Sequence, residues 1–186
     1  VLYDGNRHVS FASLPGMYER TVTVQSFSKT YSMCGWRIGY VAAPQHLMRI
    51  IVRAHQTIAM SANSFAQKGA LEALTGPQDS LYDMLAEFDR RRIMMYEGLL
   101  ALGIPCRRPQ AAFYLFPDIS QFGMDSFTFA ETLLDQYGVA TVPGVEFGAA
   151  GEHHLRISYA NSYENCQEGL RRIGDFVREL RAEKEQ

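Results

Sequence analysis

Lys29 lies between two small hydroxyls, Ser26 and Ser28, and an arginine, Arg37. An amine of this kind can condense with an aldehyde, and hydroxyls together with a guanidinium are the donors that grip a phosphate. Taken singly, each has a plainer reading, because most lysines and arginines are solvated surface groups. Taken jointly, S-x-S-K followed by G-W-R-x-G-Y fixes many identities at set spacings over residues 26–40, and the run reads as the anchor of a phosphate-bearing aldehyde cofactor. Arg156 is a second candidate. Alternation over residues 154–159 puts Leu155, Ile157 and Tyr159 on one face of a strand and Arg156 and Ser158 on the other, where a guanidinium can meet an anion.

The elements that must position these groups are legible in outline. β-branched residues at 21–25 predict a strand that delivers the lysine segment at its carboxyl end, where ligands gather in open α/β sheets. Residues 37–43 predict a second strand, closed by Pro44 at the start of a helix running to about residue 61. Leu47, Ile50, Ile51, Ala54 and Ile58 recur there at helical spacing and predict a buried face. A shorter helix follows over 63–74, then a long one over about 77–102 with Gly103 as its stop. Beyond it, strands at 112–116, 139–142 and 154–159 interleave with a helix at 126–136 ended by Gly138. The last helix is predicted to start at Asn161, with Glu164 completing a capping box, and to fray over 181–186.

Composition narrows the remaining classes. The 186 residues are 47% hydrophobic and 20% charged with a net charge of −2, an ordinary globular balance. There is no basic stripe for nucleic acid; the Arg90-Arg91-Arg92 and Arg171-Arg172 runs fall in amphipathic stretches and read as solvated faces. No apolar run of about eighteen residues and no leader pattern is present, so no membrane partner is expected. Cys34, Cys106 and Cys166 lack C-x-x-C spacing and read as reduced thiols in a cytosol-like compartment. No metal is expected: His153-His154 is the one adjacent pair, and in a strand the two point to opposite faces. Phosphate-loop, dinucleotide and nucleophile-elbow motifs are absent. The start at Val1-Leu2-Tyr3-Asp4-Gly5, without methionine, reads as a strand cut short and hence as a fragment.

The run over 26–40 resembles the lysine-anchor segment of the class I aminotransferases, the fold type I enzymes that use pyridoxal 5′-phosphate (PLP). P-G-V-E-F-G-A-A-G-E-H-H-L-R-I-S from Pro143 to Ser158 is similar to the family's second signature, and A-A-F-Y-L-F-P from Ala111 is similar to its G-A-F-Y segment, with alanine where glycine is usual. The resemblance covers the C-terminal half of such an enzyme. It implies an α/β fold, with the end of the large PLP-binding domain (a mixed sheet with helices) over 1–89. An α+β small domain follows over 90–186, the boundary lying within the long helix. It implies Lys29 as the catalytic Schiff-base lysine, Ser26, Ser28 and Arg37 as cofactor-binding residues, and Arg156 as the residue that binds the substrate α-carboxylate. It further implies amino acid and α-keto acid substrates, a homodimer at full length, a cytoplasmic location, and a D-x-x-Y element upstream of Val1. The fragment alone is expected to be inactive. A carbon–sulfur β-lyase and a non-catalytic regulatory module are the alternatives these residues leave open.

Overall fold

Alternating threonine and valine give the first strand, β1 (Thr23–Ser26), and Ser26 both ends it and starts the short helix α1 (Phe27–Thr30). In the computed structural model, which describes residues 1–184, β1 pairs antiparallel with β2 (Gly39–Ala42), Ser26 opposite Gly39. Only glycine fits there, because a Cβ would lie 2.5 Å from the Gln25 carbonyl oxygen. The second strand begins two residues later than the sequence predicts. Arg37 takes a left-handed backbone, φ 52° and ψ 48°, which no strand residue can hold.

Three helices follow: α2 (Gln45–Ala59), α3 (Ser64–Thr75) and α4 (Asp79–Ala101). Asn63 caps α3, its Oδ1 accepting from the Phe65 and Ala66 N–H groups. The predicted burial of α2 is not observed. None of its residues is buried, and Ile50 and Ile58 are 66% and 85% exposed. The apolar stripe is there, but it is only half-covered at Leu47 and Ile51 and exposed at Ile50, Ala54 and Ile58.

Residues Arg7–Met84 form one compact unit, with a small core of Phe27, Met33, Ile38, Ala66 and Ala70. Val1–Asn6 and the chain from Leu85 onward form another. Its sheet has the order β3-β5-β4, all antiparallel, and its helices are α4 from Leu85 onward, α5 and α6. In chain order after α4 these are β3 (Tyr114–Leu115), α5 (Ser126–Tyr137), β4 (Val142–Pro143), β5 (Leu155–Ser158) and α6 (Tyr163–Lys184). Leu155, Ile157 and Tyr159 are all buried, as alternation predicts, with Phe129 of α5 and Phe176 of α6 beside them in the same core.

Two of the expected strands shrink to two residues, each for a local reason. Gly138 closes α5 in the left-handed region, and the Val139 N–H is drawn back onto the Leu133 carbonyl, so pairing starts only at Val142. Ala112 sits at φ 63° and cannot extend β3 backwards. The last helix is capped one residue later than predicted: Ser162 Oγ, not Asn161, accepts the first-turn N–H, that of Asn165.

The arginine run on α4 corrects the sequence reading most sharply. Arg92 is fully buried, not solvated. Its guanidinium forks onto Asp4 at 2.8 Å through both terminal nitrogens, donates through Nε to Asp89 at 2.7 Å and through Nη1 to the Pro109 carbonyl at 2.6 Å, and lies 4.4 Å over the Tyr3 ring. Every donor direction is used, which is the condition for burying a charge without large loss. Arg92→Ala is expected to cost about 2–3 kcal/mol in urea unfolding, below the usual range for a broken buried pair. Asp4 and Asp89 keep 37% and 40% of their side chains in solvent, which softens the loss.

Candidate active site

The lysine segment is built by a cap and an anchor. Ser26 is extended, at φ −122° and ψ 140°, and its Oγ accepts from the Ser28 N–H at 3.1 Å, turning the strand into α1. Phe27 drives inward, buried to 4%, and its N–H donates to the Ile38 carbonyl at 3.3 Å. That tie brings the two ends of the motif together and leaves Lys29 and Arg37 exposed and Ser28 half-buried. Trp36 supplies a second fixing point. It lies against Gly69 of α3, where a Cβ would come within 2.6 Å of its ring, and packs edge-on to Phe65.

Cys34 joins the predicted residues, and the sequence reading missed it. Its Sγ donates to the Ser28 carbonyl at 3.0 Å and receives the Lys29 amine at 3.7 Å, while its carbonyl accepts from Arg37 Nη1 at 2.9 Å. Arg37 makes no hydrogen bond to either serine; its link to them runs through Cys34. The signal lies in the spacing, since a thiol five residues after the lysine can close the turn. Among the described residues neither Lys29 nor Arg37 has a carboxylate partner within salt-bridge distance. Two uncompensated cations beside hydroxyl and amide donors form a set that fits an anionic aldehyde.

Arg156 lies in the central strand β5, opposite Val142 of β4. Its guanidinium stands 4.7 Å over the Tyr114 ring and 5.0 Å over Phe147, and its buried Nε has no hydrogen-bond partner. A planar cation held between two aromatic faces keeps its orientation. Leaving a buried N–H unpaired costs about 1–3 kcal/mol, which an incoming acceptor would recover.

The signature residues before Arg156 build the mount for Phe147. Gly144 and Gly151 close the turn on each other: a Cβ at either would lie 2.0–2.1 Å from the other's carbonyl oxygen. Glu152 then clamps the turn to α5, its Oε1 accepting from the Ser126 N–H at 2.7 Å and the His153 N–H at 2.8 Å. These bonds, that from His153 first, hold its carboxyl below the usual carboxylate range. A lowered folded-state pKa means stability present above the unfolded value and lost as pH falls through the folded one. The acid side of the unfolding profile is therefore expected to flatten in Glu152→Gln, measured as urea midpoints between about pH 5 and pH 2. Among the described residues no group of three or more metal-ligating side chains exists.

The anchor segment and the arginine between two aromatic rings together define a class, and comparison with known proteins agrees. The family of class I and II aminotransferases matches residues 3–173, and the chain belongs to it. The aspartate aminotransferase of Pyrococcus abyssi is 42% identical over 180 residues, 96% of this chain and 46% of that protein. Aromatic-amino-acid aminotransferase 2 of Thermococcus litoralis is 39% identical over 96% of this chain and 46% of its own length. The crystal structure of the aromatic aminotransferase from Pyrococcus horikoshii superposes with a TM-score of 0.94 at 42% identity, over 97% of this chain and 49% of that one. The fold is thus the α/β fold of that family, and the chain spans about half the length of the relatives it matches. No described helix is long and apolar enough to cross a membrane.

Proposed function

We propose that the whole protein carrying this chain is a PLP-dependent aminotransferase that moves an amino group from an α-amino acid to an α-keto acid. One observation carries the reading: an exposed lysine and an arginine, both without a carboxylate, meet around Cys34 in the segment that resembles the family's cofactor anchor. PLP, when bound, supplies an electron sink for the pair left on the substrate Cα. Lys29 would hold the cofactor through its Nζ, and Ser26, Ser28 and Arg37 would hold the phosphate. The Lys29 amine would also be the general base that takes the proton from the substrate Cα and carries it during the transfer. Arg156 orients the substrate by pairing with its α-carboxylate, its unsatisfied Nε being one of the donors.

For the whole protein, residues 1–89 are read as the end of the large domain and 90–186 as the small domain, divided within α4; by packing within this chain, residues 1–6 go instead with the C-terminal unit and the break falls at Met84 and Leu85. The exposed stripe of α2 supports burial against the rest of a homodimer. Three unpaired thiols support a reducing, cytoplasmic setting. The test is turnover by the whole protein with a panel of amino donors and one α-keto acid acceptor. Formation of the donor's keto acid in step with a new amino acid supports the reading. Pyruvate and thiol released from cystathionine, without amino transfer, replaces it with the β-lyase.

A further inference from the structure

Of the three cysteines, Cys106 is half-buried and Cys166 buried, and burial pushes both thiols up; Cys34 is the exposed one. Its sulfur is fixed on the backbone side by the Ser28 carbonyl and by the turn that Trp36 pins to Gly69. The group facing it is the Lys29 amine, 3.7 Å away at the end of a flexible four-carbon arm. That separation is close to the roughly 3–3.5 Å of a near-attack pair. A thiol and a primary amine so placed are two nucleophiles that cannot react with each other until one is oxidised.

The geometry points to a reversible, peroxide-driven sulfur–nitrogen cross-link between Cys34 and Lys29 that withdraws the amine from use. In the first step the Cys34 sulfur attacks hydrogen peroxide: an S–O bond forms, the O–O bond breaks, the thiol proton leaves in water, and sulfur gives up the two electrons that peroxide gains. In the second the Lys29 nitrogen attacks that sulfur: the S–N bond forms, the S–O bond breaks, and the hydroxyl leaves as water with one amine proton, with no further change of electron count. Two equivalents of thiol reverse it, restoring the Cys34 thiol and the Lys29 amine and leaving one disulfide between the reductants. The cross-link itself depends only on the two side chains. That it silences the enzyme rests on the reading of Lys29 as cofactor anchor.

The test uses the whole protein, stripped of cofactor, treated with hydrogen peroxide and digested with trypsin before and after dithiothreitol. The expected product is one peptide covering residues 21–37, uncut after Lys29 and lighter by two hydrogen atoms; reduction restores cleavage into 21–29 and 30–37. A 30–37 peptide carrying extra oxygen, with Lys29 free and cleaved, overturns the proposal, as does an unmodified chain. Lys29→Ala should convert the cross-linked species into a dimedone-reactive sulfenic acid at Cys34; should that variant not fold, the wild-type peptide map still decides. In a second arm, PLP loading is expected to slow cross-linking at least tenfold. Equal rates in loaded and stripped protein would leave the cross-link standing and count against Lys29 as the anchor.

Discussion

Replacing Lys29 with alanine is expected to abolish covalent retention of the cofactor. Borohydride treatment fixes PLP to the wild-type whole protein and should fix none to Lys29→Ala, measured as cofactor absorbance that survives denaturation. Amino transfer should fall by at least about 10²–10⁴, the contribution of a positioned general base alone. Lys29→Arg separates the causes. It keeps the positive charge, and with it any attraction for a phosphate, but offers no amine to condense, so it should bind the cofactor loosely and fix none. Retention of fixed PLP in either variant would move the anchor to another residue. Ser26→Ala is a different case: it removes the cap of α1 and a hydroxyl together, so its effect cannot be assigned to the phosphate alone.

The second large effect falls on Arg156. Truncating one partner of a buried charged pair costs about 2–5 kcal/mol, which corresponds to a roughly 30- to 5,000-fold loss in kcat/KM for an α-amino acid. Arg156→Lys should recover only part of this, because a lysine lacks both the fork and the flat surface that the Tyr114 and Phe147 rings clasp. An amine donor without a carboxylate supplies the decisive comparison. Its rate is expected to be equal in wild type and Arg156→Ala if the guanidinium acts on the carboxylate, and to fall with the amino acid's if the mutation merely disorders β5.

The parts of the chain that could be read from the sequence are those governed by local rules. Gly103 and Gly138 stop helices because only a residue free to turn left-handed fits after the last turn, and both do so here. The alternation around Arg156 held because β5 has one buried face and one half-open one. What failed depended on partners distant in sequence. Nothing near Arg92 announces that Asp4 will reach it, so a run of three arginines looks like surface. The stripe on α2 is a true amphipathic signal, yet periodicity states only that a face needs cover, not that the described chain provides it. The left-handed turn at Arg37 was invisible because arginine has no preference for it; the conformation is imposed by Trp36 on one side and the strand pairing at Gly39 on the other.

The grip of Arg92 on Asp4 makes the C-terminal unit discontinuous along the chain. Asp4 and Tyr3 meet a partner on α4 that is made nearly ninety residues after them, so residues 1–6 must wait, unpaired, until the intervening segment has emerged. A piece starting after residue 84 would fold with a guanidinium walled in and half of its counter-charge missing. Any attempt to excise that unit for crystallography or for grafting therefore has to carry the opening residues along, spliced on or supplied as a peptide in trans.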